Sequence, residues 1–138
     1  MERVDISVWC CEGTPQHVDV PNFGQVNGFS EQNVDCFLGI PFARPPVGDL
    51  RFRPPQPLPQ PDDASKVTYD ATNLPASCHQ TIDTAFEPKL VDMWNPNTNM
   101  SEDCLYLNIW KPTTASNVPV MVRLFTTCVT GRFTGPSW

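Results

Sequence analysis

The sequence predicts a globular domain built around a β-sheet, and two observations support this fold class. The chain has 138 residues with a hydrophobic fraction of 40%, which allows a core to form and is unlike the composition of a disordered chain. Residues 104–110 place large apolar side chains on both faces of an extended segment. One face holds Leu105, Leu107 and Ile109, and the other holds Tyr106 and Trp110. The segment is therefore predicted to be an inner strand of a sheet that is covered on both sides.

Upstream of that strand, residues 18–38 predict a second β element. Two short runs, 18–20 and 34–38, are rich in β-branched and aromatic residues, and residues 24–28 lie between them with turn-forming residues on each side. This arrangement predicts a small antiparallel hairpin or meander. Residues 1–17 show no usable periodicity and are left unassigned.

Residues 37–55 are apolar but rich in proline. Prolines at 41, 45 and 46 remove main-chain donors, so the segment is predicted not to be a central strand. Its apolar side chains are too numerous for a solvated loop: Phe37, Leu38, Ile40, Phe42, Val47, Leu50 and Phe52. We expect an extended segment that lies over a sheet and is pinned by buried side chains.

The remaining segments are mostly loops. Residues 56–77 are polar and contain prolines, which predicts a surface connection, and residues 78–104 form a loop bounded by cysteines. Residues 119–125 predict a second strand, whereas residues 126–138 show no clear pattern.

Charge and cysteine content narrow the class of protein. A net charge of −6 argues against nucleic acid and anionic membranes as partners and is compatible with a cationic ligand. The six cysteines include no Cys-x-x-Cys pair, and the histidines are His17 and His79, so no metal or cofactor is expected. Disulfides in an oxidising compartment are the better interpretation. No signal h-region and no apolar run of transmembrane length is recognisable, so either a leader is missing or the chain does not begin at its native start.

Several sequence blocks carry a family resemblance. They read FLGIPFA at 37–43, PPVG at 45–48, LRF at 50–52 and SEDCLYLNIW at 101–110. In this order they resemble the N-terminal part of the type-B carboxylesterases, over roughly residues 18–122. Two more blocks look like the cholinesterase branch of that family: Cys78-x-Gln80-x-x-Asp83 and Met93-Trp94-Asn95-Pro96-Asn97.

The resemblance implies an α/β fold class, with this chain forming an incomplete N-terminal portion of an α/β-hydrolase fold. Residues 18–125 would be a partial carboxylesterase domain. Within it, residues 18–38 would form the small N-terminal sheet, and residues 104–110 and 119–125 would be the first strands of the central sheet. Residues 126–138 would be a divergent tail.

The resemblance also implies two structural pairs. The first is a disulfide between Cys78 and Cys104 that clamps the polar loop, which the chain-entropy model makes worth about 3.5 kcal/mol; two separate thiols are the alternative. The second is an ion pair between Arg51 and Glu102 that ties the proline-rich segment to the base of the loop. The pairing of the other cysteines is left open: Cys10, Cys11, Cys36 and Cys128.

Two loop residues are expected to bind substrate. Trp94 matches a tryptophan that stacks on the quaternary ammonium of choline in the cholinesterases, because an indole face attracts such a cation. From the residues alone, a half-buried tryptophan that holds the loop is the simpler interpretation. Asp83 matches an acid near the mouth of the gorge that would attract a cation; a solvated carboxylate is the alternative. The one N-glycosylation sequon begins at Asn99, just before the clamp, where a bulky glycan is expected to find little room.

The sequence contains none of the residues that would catalyse ester hydrolysis in this family. It has no Gly-x-Ser-x-Gly elbow for an activated serine. Neither His17 nor His79 matches the family's base. Residues 123–131 read RLFTTCVTG where the family has a glycine run that supplies oxyanion donors. This change points to a reading-frame shift, an alternative exon or a faulty gene model. The 138 residues alone are not expected to hydrolyse esters.

Two functions follow from the resemblance. The first is the N-terminal fragment of a secreted cholinesterase-like or carboxylesterase-like serine ester hydrolase, whose complete form would act on a choline ester or another carboxylic ester. The second is a non-catalytic, cholinesterase-like adhesion module with protein partners at the cell surface. Both place the protein outside the cell or on its surface.

Overall fold

The computed structural model describes residues 13–82 and 95–122. The strands are β1 Thr14–Val20, β2 Gly24–Glu31, β3 Val34–Pro41, β4 Thr68–Asp70, β5 Ser77–Cys78, β6 Met100–Ser101 and β7 Tyr106–Pro112. Two short 3₁₀ turns span Gly48–Leu50 and Ala64–Lys66. The described residues contain no α-helix, and none of their helical turns has the length and apolar character needed to cross a bilayer.

β1, β2 and β3 form an antiparallel meander, which confirms the hairpin or meander prediction for this part of the chain. The connection between β2 and β3 is only two residues long, and both residues, Gln32 and Asn33, have a positive φ. Tight turns of this kind match the right-handed twist of the strands they join, so they favour antiparallel pairing. Asn22 has a positive φ in the connection before β2.

One edge of β2 is shared between two strands. β4 pairs in parallel with residues 25–27, and β3 pairs antiparallel with residues 29–31. Gly28 lies between these two pairings, and a Cβ atom there would overlap the carbonyl oxygen of Cys36. The fork in the sheet therefore requires a residue without a side chain at this position.

β3 is the most buried strand that the structure describes. Its residues Asp35 to Leu38 are all buried, and the three apolar ones contribute to clusters on both faces of the sheet. Phe37 packs with Val26 and Ala71. Cys36 and Leu38 pack with Phe29.

The prediction that proline excludes residues 37–55 from a central strand is wrong for residues 37–41. β3 continues through Pro41 and lies between β2 and β7. The only proline in this strand is its last residue, where the missing N–H costs the ladder least. Beyond the strand, Ala43 is buried, but Phe42, Val47 and Phe52 are exposed, so pinning by buried side chains does not hold for those three residues.

The prediction that residues 104–110 are an inner strand covered on both sides is also wrong for the described part of the chain. β7 begins at Tyr106 and has β3 as its one described neighbour. Leu107 and Ile109 on one face are exposed, and Trp110 on the other is 60% exposed. Large apolar side chains on both faces of the strand suggested that other parts of the protein pack against both faces. The described residues do not pack against them in this way.

The predicted division of the strands between two sheets is not found in the described residues. β7 joins the same five-stranded sheet as the meander, in the order β1-β2-β3-β7, with β4 on the free half of the β2 edge. β3 makes this possible because its first residues pair with β2 while almost its whole length faces β7. The second predicted strand is wrong for residues 119–122, which are not in a strand. Residues 123–125 lie outside the described part.

A bulge in β3 is held by an asparagine side chain from β7. The pairing shifts between Phe37 and Ile40, so β3 has an extra residue at this point. Gly39 has a φ of 75°, which glycine adopts at little cost. Its N–H, turned out of the ladder, donates to Oδ1 of Asn108 at 2.8 Å. The Gly39 N–H, which the bulge leaves without a main-chain acceptor, is therefore hydrogen-bonded to a side chain instead.

Candidate functional site at the base of the disulfide loop

A disulfide closes the base of the loop that residues 78–104 form. Cys78 and Cys104 are bridged, with their Cα atoms 5.1 Å apart, and this is the pairing that the family resemblance implies. The two ends of the loop also pair through main-chain atoms, because β5 and β6 form a two-stranded parallel sheet with Cys78 opposite Ser101. The bridge and the sheet together fix where the loop leaves the domain and where it returns.

Hydrogen bonds around β5 and β6 reinforce this closure. The main-chain N–H of Ser77 donates to the carbonyl oxygen of Asn99 at 2.9 Å, and the hydroxyls of Ser77 and Thr98 lie 2.8 Å apart. The N–H of Asp103 donates to the hydroxyl oxygen of Ser101 at 3.1 Å. The Ser101 side chain thus satisfies a main-chain N–H just after the two-residue strand β6 ends.

An ion pair links the loop base to the proline-rich segment. Nε of Arg51 lies 2.5 Å from Oε1 of Glu102, the two residues that the resemblance pairs. Their side chains are 52% and 36% exposed, so solvent screens the attraction and its contribution to stability is about 0–1 kcal/mol. The ion pair therefore holds the proline-rich segment in position against the loop base and adds little to the stability of the fold.

Phe52, next to this ion pair, has an unusual backbone conformation. Its φ is 57°, which is costly for a residue with a bulky side chain. Phe52 as a whole is 98% exposed, and the centroid of its ring lies 5.3 Å from the guanidinium carbon of Arg51. The contact is a cation–π interaction at an exposed site. Arg51 therefore contacts an anion and an aromatic ring at once.

The loop base is joined directly to the large sheet. The N–H of Phe42 donates to the carbonyl oxygen of Leu105 at 3.2 Å, one residue after the bridge. Tyr106 then begins β7. Burial raises the pKa of the Tyr106 phenol, and the nearby Asp103 carboxylate raises it further. The phenol is therefore neutral at physiological pH and serves as a hydrogen-bond group at the junction.

The predicted substrate-binding residues, Trp94 and Asp83, lie outside the described residues. The structure describes what flanks them in sequence: residues 78–82 on one side and 95–104 on the other. Within the described ranges no group of three or more His, Cys, Asp or Glu side chains is arranged to hold a metal ion.

A polar network on the sheet was missed by reasoning from the sequence. Asp35 is 8% exposed, and its carboxylate accepts from Nζ of Lys111 at 3.1 Å and from the hydroxyl of Thr113 at 3.1 Å. The Thr113 hydroxyl also lies 3.2 Å from that of Ser30. The hydrogen bond from Lys111 is the main reason that the pKa of Asp35 is lowered, against the opposing effect of burial. One signal was available, because an aspartate inside the apolar run of residues 34–38 needs a partner.

Comparison with known proteins defines the class to which this sheet and loop belong. The model of the carboxylesterase family matches residues 14–131. The match covers β1, the fork of the sheet, the disulfide and β7, and continues past the last described residue. The chain belongs to the carboxylesterase family.

Cholinesterases are among the relatives found, which confirms the resemblance to that branch. The chain is 42% identical to an acetylcholinesterase of Electrophorus electricus over 119 residues, 80% of this chain and 18% of the relative. It is 48% identical to a cholinesterase of Mus musculus over 108 residues, 74% of this chain and 17% of the relative. It is 46% identical to an acetylcholinesterase of Gallus gallus over 112 residues, 80% of this chain and 14% of the relative. The chain thus spans less than a fifth of the length of each.

Proposed function

We propose that this chain is the N-terminal portion of a serine ester hydrolase with the α/β-hydrolase fold. The complete protein would hydrolyse a choline ester or another carboxylic ester, outside the cell or at its surface. The match to the carboxylesterase family over residues 14–131 supports this proposal, as do the cholinesterases among its relatives.

The closed loop base is the observation that carries the proposal. A disulfide, a two-stranded sheet and an ion pair all act on the same few residues around Cys78 and Glu102. An ordinary surface loop does not require so many constraints, since connections of this kind usually tolerate movement. A loop that presents a binding residue does require them, because a displacement of about 1 Å can cost a large part of the rate.

Two residues within the closed loop have proposed binding roles. Trp94 would place its indole face against the quaternary ammonium of a choline ester, an interaction worth roughly 0.5–2 kcal/mol. Asp83 would attract the cation toward the site through its charge, an effect that salt weakens. Both roles come from the family resemblance of residues 78–83 and 93–97.

The 138 residues on their own are proposed to be inactive. They contain no Gly-x-Ser-x-Gly elbow, and an esterase of this kind needs an activated serine together with its base and oxyanion donors. Produced and purified as residues 1–138, the chain is expected to hydrolyse neither choline nor naphthyl esters above the buffer rate. Turnover that survives a second purification and is abolished by a serine-directed organophosphate would contradict this.

The transcript decides between the two functions. Long-read sequencing of the messenger RNA is expected to show a form that continues in frame after Val122 into a glycine run and a serine elbow. A full-length form that lacks the elbow serine would instead indicate the non-catalytic adhesion module. Neither result depends on whether the shorter chain folds.

A further inference from the structure

The loop base carries a modification motif that the proposed ester hydrolysis does not use. Asn99-Met100-Ser101 is the one Asn-x-Ser/Thr sequence, with x other than proline, in the 138 residues. The side chain of Asn99 is exposed, and so is that of Met100. The motif therefore lies on the surface in spite of its closeness to the disulfide, and a sugar chain on Asn99 would extend into solvent.

The position of Asn99 in the sheet is compatible with a bulky substituent. Its carbonyl oxygen is used by the N–H of Ser77 at 2.9 Å, so the main chain is held on one side. β6 begins at the next residue. An attached glycan would replace neither a buried side chain nor a member of the sheet ladder.

We propose that Asn99 carries an N-linked glycan. The oligosaccharide donor is a polyprenyl-pyrophosphate-linked sugar of the secretory pathway. Nδ2 of Asn99 forms a bond to C1 of the first sugar, the bond between C1 and the phosphate oxygen breaks, the lipid pyrophosphate leaves, and the amide proton passes to a base of the transferase. The proposal rests on the proposed passage through the secretory pathway and is independent of ester hydrolysis.

The folded geometry also determines whether the glycan is attached before or after the Cys78–Cys104 bridge closes. The acceptor motif depends on the hydroxyl at its third position, and in the folded chain the Ser101 hydroxyl oxygen accepts from the N–H of Asp103 at 3.1 Å. Ser101 is also paired with Cys78, which is bridged to Cys104. A transferase that needs the motif extended and its hydroxyl available must therefore act before the bridge closes.

The test uses the whole chain, secreted from eukaryotic cells behind a cleavable leader. Mass spectrometry before and after treatment with peptide N-glycosidase is expected to find a glycan on Asn99, which the enzyme removes with conversion of the residue to Asp. Asn99→Gln and Ser101→Ala are expected to abolish it. Ser101→Thr keeps the hydroxyl and is expected to retain it. Asn97→Gln is the matched control, because it makes the same change at an exposed residue outside the motif.

The double variant Cys78→Ser/Cys104→Ser tests the order. Without the bridge the motif stays accessible for longer, so the glycosylated fraction is expected to rise above that of the wild-type chain. An equal or lower fraction would overturn the proposed order. An unmodified Asn99 in both chains would overturn the proposal itself, provided that the wild-type chain has formed its Cys78–Cys104 bridge and has therefore passed through an oxidising compartment. An inactive complete enzyme would count against the proposed function alone.

Discussion

Asn108 replaces a main-chain partner that the sheet cannot supply. The bulge at Gly39 turns an N–H out of the ladder between β3 and β7, and the Asn108 side chain accepts it at 2.8 Å. The alternation of residues 104–110 predicted a strand but gave no reason for an asparagine among its large apolar neighbours. That reason exists only once the register of the two strands is known.

Replacing Asn108 with Ala is expected to lower the free energy of unfolding by about 1 kcal/mol, because the Gly39 N–H loses its acceptor in a partly buried site. Asn108→Asp retains an acceptor oxygen and is expected to recover most of the loss. Urea denaturation of the two variants beside the wild type measures the difference. Equal losses for Ala and Asp would mean that the hydrogen bond contributes nothing.

Asp35 shows how a carboxylate is tolerated inside the most buried strand. Lys111 and Thr113 both donate to it, and Lys111 provides the counter-charge. The hydrogen bond from Lys111 lowers the pKa of Asp35 below its ordinary value of 3.8. The ionised form is thus the one that the fold favours.

The stability of the fold is expected to depend on the ionisation of Asp35. Because the folded pKa is lowered, its contribution is fully present above the ordinary value of 3.8 and is lost as the pH falls through the folded pKa. Asp35→Asn removes this carboxylate, so its free energy of unfolding is expected to fall less steeply than that of the wild type below about pH 4. Urea midpoints across an acid pH series measure both slopes.

Lys111→Met provides the matched variant for that experiment. It removes the main cause of the lowered pKa and leaves Asp35 with Thr113, so its acid slope is expected to lie between those of the wild type and Asp35→Asn. Parallel slopes in all three proteins would show that other carboxylates control the acid transition.

At the scale of elements, local sequence predicted the existence of strands better than their surroundings. The meander was predicted over residues 18–38 from β-branched runs and turn residues, which act locally, and the structure extends it to residues 14–41. The interpretation of Pro41 failed because proline is harmful only where its N–H is needed, and the end of β3 does not need it. The prediction of a strand at residues 104–110 is confirmed by β7, but the prediction that it is an inner strand is wrong for the described residues. Coverage of a strand depends on contacts with residues far away in the chain, which a local pattern does not show.

The loop base is an element whose bridge should contribute measurably to stability. The sequence separation of its cysteines is 26, and the chain-entropy model gives about 3.5 kcal/mol for closing a loop of that length. Cys78→Ser/Cys104→Ser is expected to lower the free energy of unfolding by an amount of this order. Adding a reductant should destabilise the wild type more than the double variant, and guanidinium titration with and without reductant measures both effects. An unchanged wild type on reduction would mean that β5, β6 and the ion pair close the loop without the bridge.

At the scale of the whole molecule, the candidate site could be predicted only through the family. No physical pattern in the sequence singles out Cys104 as the partner of Cys78, or Glu102 as the partner of Arg51, since sequence separation does not determine contact. The blocks at 37–52 and 101–110 supplied both pairs through the resemblance, and both are present in the structure. The roles of Trp94 and Asp83 remain predictions, because those residues lie outside the described ranges.

The proposed role of Trp94 can be measured in a complete enzyme that carries this loop. The cation of a choline ester gains from the quadrupole of the indole ring, whereas an uncharged ester of the same shape and acyl group does not. Trp94→Ala is therefore expected to lower kcat/KM for the charged ester by the equivalent of roughly 0.5–2 kcal/mol and to change that of the neutral isostere much less. Trp94→Phe keeps an aromatic face and is expected to retain part of the preference. If Trp94→Ala reduces kcat/KM equally for both esters, Trp94 only holds the loop in place, and the substrate assignment becomes that of a general carboxylesterase.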